Sequence, residues 1–277
     1  MAVHDAGAAN MIAPWVEAAN APPERVIAQG PAKAIWHARF GDTMAISEDP
    51  EALDGIATLL SGTGWASDLE HRARIAASSA GILSVAVIDH WVNYAMRFER
   101  GGVVQHPDTI WVGDDDAAAV ARAEFPHVAV EQHPNLYLAE QASGAGPVPD
   151  DGDVLFLLEP ARSDWGKGQP GEFQALDYLM ERRDAAGLPE GTTIRVRPHP
   201  SDPPGKFDQW IARNPDTVLD TSPDMGSALA GAHWVVGMNS AGLVIALEAG
   251  RTVISALPPH APPCVLPHAA ITRLCEL

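Results

Sequence analysis

The sequence is poor in cysteine, in long apolar runs and in positive charge. Only Cys264 and Cys275 are present, outside any CxxC pair, which argues against a disulfide framework and favours a reducing compartment. The first residues lack the basic region and apolar run of a secretory signal, and no stretch approaches the ~18 apolar residues of a membrane span. We therefore expect a cytoplasmic protein without an integral membrane segment.

Positive charge is scarce, because 18 Lys and Arg stand against 36 Asp and Glu in 277 residues, for a formal net charge of -18. Such a surface repels phosphate backbones and anionic lipid, so nucleic acid is not an expected partner. The 11 histidines show no HxH or HxxxH spacing, and the acidic run 114–116 is typical of a helix start, so no metal site is predicted. A nucleotide would need a local site built from the few Arg, Lys and His residues and from helix N-termini.

Short β-like runs alternate with Ala-rich helical stretches, the pattern of βαβ units and a parallel sheet. After a very short first strand at 1–3, strands are predicted at 25–28, 56–60, 83–88, 109–112, 128–130, 153–160, 192–198, 217–220, 233–239 and 252–257. Helices are predicted at 10–20, 67–80, 115–125, 172–186, 206–214, 224–232 and 240–250. We expect two Rossmann-like α/β domains that face a cleft, at 1–140 and 153–277, joined by a Gly-, Pro- and Asp-rich linker at 141–152.

Ligands of open parallel sheets bind beyond the carboxyl ends of the strands, so the residues after each strand are the first candidates. In the second half, one strand ends in Arg195-Val-Arg197-Pro-His199-Pro200. Arg195 and Arg197 point to the same side of that strand, because side chains alternate. The prolines place His199 at the edge of the sheet, where its imidazole can donate to a phosphate oxygen. An incidental histidine at a surface strand end is an equally good interpretation.

A second strand end carries Gly237-Met-Asn239-Ser240-Ala241-Gly242 at the start of a helix. Ser240 is a good helix N-cap, and the same geometry presents free backbone N–H groups to an anion. The helix also carries Glu248, which is either a solvated charge or a ligand-binding group. A third strand end carries Arg162, a phosphate partner or a solvated loop charge. The sequence has no GxxxxGK[ST] and no GxGxxG after a strand, which argues against ATP-type phosphoryl transfer and an ordinary NAD enzyme.

With these motifs, residues 153–260 resemble the donor domain of bacterial GT-B glycosyltransferases, nearest to the sialyltransferases and capsular Kdo transferases that use CMP-activated sugars. His199-Pro200 matches the HP motif of these enzymes and Asn239-Ser240 a later Ser-containing motif, both of which serve the nucleotide phosphate. Glu248 stands near where a Glu often binds ribose. The resemblance implies a metal-independent transferase without a cofactor, since the nucleotide-sugar is its substrate.

The first half would then be the acceptor domain and supply the base. Asp5 and Asp89 both follow predicted strands, and a carboxylate there can accept the proton of an acceptor hydroxyl. The related families place the base in an acidic pair followed by Gly, whereas this sequence has Asp89-His90-Trp91. Either carboxylate is otherwise a cap or turn residue. Residues expected to contact the acceptor or sugar are Asn10, Thr63, Trp91, Asn93 and Arg97.

The leading hypothesis is transfer of a sugar, inverting or retaining, from a nucleotide-activated donor to a glycan or protein acceptor in surface polysaccharide or glycoconjugate biosynthesis. The donor is most plausibly a CMP-linked nonulosonic acid or Kdo-type sugar. One alternative is a nucleotide-sugar 2-epimerase or hydrolase of the same fold, although a DSGG-like helix start is missing. The other is a non-catalytic binding protein of a glycan pathway, favoured by the missing acidic-pair motif.

Overall fold

A computed structural model describes residues 1–42, 45–161 and 163–277 of the chain. These residues form two compact units, Met1–Tyr137 and Leu138–Leu277. Each unit is built around its own parallel sheet, as the alternation of strands and helices predicts. Among the described residues, no helix combines the length and the apolar character that crossing a bilayer requires.

The first unit contains a seven-stranded parallel sheet and a small hairpin. Its strands are Ala2–Val3 (β1), Val26–Ala28 (β2), Ile46–Ser47 (β3), Thr58–Ser61 (β4) and Leu83–Val87 (β5), the hairpin Glu99–Arg100 (β6) and Val103–Val104 (β7), then Thr109–Val112 (β8) and Ala129–Gln132 (β9). The sheet order is β3-β2-β1-β4-β5-β8-β9, which is the Rossmann order extended by one strand. The order therefore reverses between β1 and β4.

Helices cover both faces of this sheet. They are Ala6–Ala19 (α1), Gly30–Phe40 (α2), Leu69–Ala80 (α3), Asp115–Glu124 (α4) and Leu136–Ser143 (α5), the last of which begins in this unit. Because strand side chains alternate, Val3 packs with Ile12 of α1 on one face, while Ala2 packs with Leu69 and Ala73 of α3 on the other. Helix α1 begins directly after β1, so the backbone N–H groups of its first turn lie at the carboxyl edge of the sheet.

The second unit repeats the plan with six parallel strands: Asp153–Leu157 (β10), Ile194–Arg197 (β11), Thr217–Leu219 (β12), Ala232–Gly237 (β13), Thr252–Ser255 (β14) and Thr272–Arg273 (β15). The order β12-β11-β10-β13-β14-β15 is again the Rossmann order and reverses between β10 and β13. The helices are Gly171–Glu181 (α6), Asp208–Arg213 (α7), Met225–Ala230 (α8) and Ala241–Glu248 (α9). Val154 and Phe156 of β10 pack on Leu176 and Leu179 of α6 in the core.

The structure differs from the sequence predictions in several elements, and the β6–β7 hairpin is one that was not predicted. Helix α2 and the strands β3 and β15 were not predicted, because Gly30-Pro31 resembles a turn and two-residue strands have no period to detect. Helix α5 occupies 136–143, so the first residues of the predicted linker are helical. The carbonyls of residues 145–147 accept hydrogen bonds from the buried Arg251, which ties this segment to the second unit.

Candidate functional site

The reversal of strand order in the first unit brings the loops after β1 and β4 together. His4 and Asp5 follow β1, and the glycine-rich loop Gly62–Trp65 follows β4. The Asp5 carboxylate lies against Gly64, where a Cβ would be 2.0 Å from Oδ2. Only glycine allows this approach. The crevice at this point is where ligands of doubly wound sheets bind.

His4 and Asp5 form a pair at the mouth of this crevice. His4 Nδ1 and Asp5 Oδ1 are 2.6 Å apart, and both side chains are partly exposed, at 17% and 27%. Asp5 is the N-cap residue of α1, but its side chain makes no capping hydrogen bond. The backbone N–H of His4 donates to Glu70 Oε1 at 2.8 Å, so α3 holds the loop from behind.

The second predicted base, Asp89, lies at the same carboxyl edge in a different setting. Its Oδ1 accepts a hydrogen bond from Arg97 Nη1 at 2.8 Å, and Oδ2 packs so closely on Gly7 that a Cβ there would be 1.6 Å away. Arg97 is buried and also donates to Thr63 Oγ1 at 3.1 Å. The structure therefore brings both predicted carboxylates to the N-terminal end of α1, Asp5 paired with a histidine and Asp89 with a buried guanidinium.

Beneath the Gly62–Trp65 loop, α3 contributes a buried acid and a buried base one turn apart. Arg74 donates to Gly62 O at 2.8 Å and to Ser61 Oγ at 3.2 Å, and burial lowers its pKa to about 10. Burial also raises the pKa of Glu70 to about 7. The nearby charge of Asp5 contributes to this increase, whereas the hydrogen bond from the His4 N–H and the charge of Arg74 oppose it. The hydrogen bonds from Arg74 hold the Gly62–Trp65 loop against α3, and the side chains of Glu70 and Arg74 are themselves fully buried.

The predicted sugar contacts divide into buried and exposed residues. Thr63 is buried, and its hydroxyl donates to Val87 O at 2.9 Å, so it holds the loop to β5. Trp91 is buried too, and its Nε1 donates to Asp114 Oδ2 at 2.8 Å. Asn93 is exposed with a φ of 59°, and Asn10 is half-buried in the second turn of α1. The exposed aromatic residue at this edge is Trp65, whose ring contacts the Arg97 guanidinium at 5.1 Å.

In the second unit, the reversal point lies between β10 and β13 and is occupied by a carboxylate. Glu159 follows β10, and its Oε1 accepts a hydrogen bond of 2.5 Å from the backbone N–H of Asn239. Burial raises the pKa of Glu159, and the Asn239 N–H opposes that shift. The Asn239 side chain is engaged as well, because its Oδ1 accepts from Val265 N at 2.8 Å.

The predicted anion site at the start of α9 lies beside this carboxylate. Ser240 is the N-cap residue, and its hydroxyl makes no capping bond. The first turn begins with Ala241 and Gly242, and a Cβ on Gly242 would be 2.8 Å from Leu157 Cδ1, so the helix packs tightly on β10. Free N–H groups in the first turn of a helix favour an anion, whereas Glu159, when ionised, opposes one.

The predicted basic groups of this unit are largely engaged by protein carboxylates. Arg195 and Arg197 do point to the same side of β11, because Nη1 of each guanidinium binds Asp220, at 2.6 and 2.5 Å. Arg197 Nη1 donates to Ser222 O as well, at 2.9 Å. His199 is exposed, and its Nδ1 is 2.7 Å from Ser201 Oγ, while Pro200 beside it is exposed too.

His199 and Glu248, which were also predicted to bind the nucleotide, do not lie beside Ser240. Strand β10 lies between β11 and β13, so two strand spacings of about 4.8 Å separate the strand ends that carry His199 and Ser240. Glu248 is exposed at the last residue of α9, about 10 Å along the helix from its start. It therefore lies toward the opposite edge of the sheet. Arg162 lies outside the described residues.

Neither a protein-family model nor a curated protein matches this chain. The candidate site therefore depends on geometry. The groups that sequence reasoning missed are His4, Glu70, Arg74, Glu159 and Asp220. His4 and Glu159 had a detectable signal, since each is a polar residue directly after an apolar strand. Glu70 and Arg74 resemble an ordinary exposed i, i+4 pair in sequence, and only the packing of α3 makes them buried.

Proposed function

We propose that this protein is a GT-B-type glycosyltransferase that moves a sugar from a CMP-activated donor to a glycan or protein acceptor. The observation that carries the proposal is that, in both sheets, groups able to bind or react with a ligand lie at the point where the strand order reverses. In the first unit this is the partly exposed Asp5–His4 pair. In the second it is the uncapped N-terminus of α9 at Ser240.

The second unit would bind the donor through the start of α9. The Ser240 hydroxyl and the first-turn N–H groups suit a phosphate oxygen, which a helix N-terminus stabilises. Glu159 beside this site would have to be protonated, or to accept a ribose hydroxyl, when the nucleotide is bound. Its raised pKa and half-buried position are compatible with the protonated form. His199 remains a candidate for an outer phosphate contact.

Asp5 is the better candidate for the base. A proton on Asp89 would leave the buried Arg97 charge without its counterion, which is costly in a buried pair. A proton on Asp5 has no such cost, because its partner His4 can be neutral or charged. Asp5 is also the more exposed carboxylate, at 27% against 18% for Asp89. We assign Asp89 to positioning the loops around α1.

A second candidate is a nucleotide-sugar 2-epimerase or hydrolase of the same fold. The observation that favours it is Glu159, a half-buried carboxyl with a raised pKa that would act as an acid or base beside the donor. Turnover of a nucleotide-sugar without any acceptor would support this reaction. Strict dependence on an acceptor would support the transferase.

The first test is a thermal-shift titration with CMP, UDP, GDP, TDP and AMP. A ligand that binds only the native state raises the melting temperature by mass action. We expect a selective shift with CMP that is reduced in Ser240→Ala. Glu159→Gln should enlarge the shift, because it removes a like charge beside the phosphate.

Glu248→Gln is the matched control, since it makes the same change at the far end of α9. A CMP shift that is equal in the wild type and in the variants of Ser240 and Glu159 would place the nucleotide elsewhere. No shift with any nucleotide would remove the donor-binding proposal. A shift with UDP or GDP instead would keep the transferase class and change the donor.

A further inference from the structure

An exposed aromatic residue stands at the end of the glycine-rich loop in the first unit. Trp65 is 49% exposed, although large apolar side chains are usually buried. The Arg97 guanidinium lies over its ring at 5.1 Å, and Arg97 is itself held by Asp89 and Thr63. The ring is therefore fixed from within the unit and presents the rest of its surface outward.

Trp65 forms one wall of a cavity of about 250 Å³. The other lining residues are Met96, Glu99, Arg100 and Gly101, from the short 3-10 helix and the β6–β7 hairpin that follow β5. It is thus lined by an aromatic residue, a methionine, an acidic residue, an arginine and a glycine. The volume is below the roughly 300–1,000 Å³ of pockets for drug-sized ligands, which suits a single small ring.

The charges of the cavity argue against a phosphate or a carboxylated ligand. Arg100 Nη1 donates to Met96 O at 2.9 Å and to Glu99 O at 2.6 Å, and Nη2 donates to Gly64 O. Its Nε lies 3.8 Å from Asp68. The guanidinium is thus committed to the protein, while the Glu99 side chain is exposed. An exposed carboxylate favours a neutral ligand with hydroxyl donors.

We propose that this cavity binds one neutral pyranose ring, with its C–H face on the Trp65 ring and hydroxyl groups donating to Glu99. Aromatic faces carry partial negative charge and attract the polarised C–H groups of a sugar. Trp65 directly follows Gly64, on which the Asp5 carboxylate packs. The candidate base thus packs on the residue next to Trp65, and the identification of this sugar as the acceptor rests on the proposed function. Trp65 takes the role that sequence analysis gave to the buried Trp91.

The test is saturation-transfer NMR on the full chain, without nucleotide. The probes are the methyl pyranosides of glucose, galactose, mannose and N-acetylglucosamine, with anionic N-acetylneuraminic acid for comparison. We expect at least one neutral pyranoside to receive saturation along one face of its ring and to bind more tightly than N-acetylneuraminic acid. Trp65→Ala should weaken binding about 10-fold, and Trp65→Phe should stay within about 3-fold of the wild type.

Leu83→Ala is the matched control, because Leu83 is an exposed apolar residue of the same unit outside the cavity. Circular dichroism and melting temperature establish that each variant is folded. Equal affinity in the wild type and Trp65→Ala, or no saturation of any neutral probe, would overturn the proposal. The CMP titration is independent of it. If CMP raises the melting temperature but no sugar binds, only the proposed sugar subsite is overturned. If a sugar binds but no nucleotide raises the melting temperature, the transferase proposal is overturned.

Discussion

The side chains of Asp89 and Arg97 form an ion pair with Oδ1 and Nη1 2.8 Å apart, and the arginine side chain is only 5% exposed. Asp89→Asn keeps the size of the side chain and removes its charge, which leaves a buried guanidinium without a counterion. We expect the free energy of unfolding to fall by about 3 kcal/mol. Urea denaturation at neutral pH measures this loss.

Asp5→Asn is the informative contrast to that variant. Asp5 is partly exposed and its partner is a histidine, so the expected loss of stability is below about 1 kcal/mol. Transfer activity should nevertheless be lost if Asp5 is the base. A stable Asp5→Asn protein with full activity, together with an inactive but folded Asp89→Asn protein, would reverse the assignment of the two carboxylates.

Glu70 should make the stability of the first unit depend on pH. Burial raises its pKa in the folded protein to about 7, above its ordinary value of 4.5. As pH rises between these values, the unfolded chain loses the proton while the folded chain keeps it. The stabilising contribution is therefore complete below pH 4.5 and lost as the pH rises through 7. The expected loss is about 3 kcal/mol.

The variant Glu70→Gln does not titrate and should lack this loss. Urea denaturation of both proteins at pH 4.5, 6 and 7.5 measures the difference. We expect the variant to gain stability relative to the wild type as the pH increases. A constant difference across the range would mean that Glu70 titrates normally in the folded protein.

Arg251 should be among the most important residues for the stability of the second unit. It is 3% exposed, and its guanidinium donates to six carbonyl oxygens. These belong to Ala145, Gly146, Pro147, Leu229, Ala232 and Ala249. Arg251→Met removes all six of these hydrogen bonds from a buried site, at a cost of about 3 kcal/mol or more in the free energy of unfolding.

Arg72→Met is the control for that variant, because Arg72 is 54% exposed and pairs with the equally exposed Glu51. It should change stability by less than about 0.5 kcal/mol. Susceptibility of residues 144–151 to limited proteolysis gives a second measurement. If residues 144–151 are cleaved no faster in Arg251→Met than in the wild type, Arg251 does not hold this segment in place.

Asp220 should contribute stability that disappears in acid. Burial alone disfavours its charge, but hydrogen bonds from Ser222, Arg197 and Arg195 outweigh burial and hold the pKa of Asp220 below its ordinary value. A carboxylate with a lowered pKa stabilises the fold above about pH 4, and this contribution is lost as the pH falls through the folded value. Asp220→Asn should therefore be clearly less stable than the wild type at pH 7.

The difference between these two proteins should shrink as the pH falls through the folded pKa of Asp220, because the wild-type carboxyl then becomes protonated. Thermal unfolding from pH 7 downward measures it. Glu248→Gln, which changes an exposed carboxylate of the same unit, should show no such pH dependence. A difference that is independent of pH would contradict the role of the Asp220 charge.

Much of the architecture follows from local sequence. Buried parallel strands are continuous apolar runs, so β10 and β5 were predicted to within three residues at their carboxyl ends. Polar residues directly after such runs, such as Asp5, Asp89 and Ser240, are placed at the carboxyl edge by the chain alone. The two-residue strands β3 and β15 owe their conformation to neighbouring strands, and sequence periodicity detects them poorly.

The partners of these residues are a different matter, because most of them come from distant parts of the chain. Asp89 meets Arg97 and Gly7, Arg197 meets Asp220, and Asn239 meets Glu159. Each pairing depends on the strand order and on which face of a helix is buried. The spacing of residues along the chain reveals neither of these two features. The sequence by itself determined two α/β units and the polar residues at their strand ends. Only the tertiary structure decided which charges are neutralised, which aromatic ring is exposed and which carboxylate is paired with a buried guanidinium.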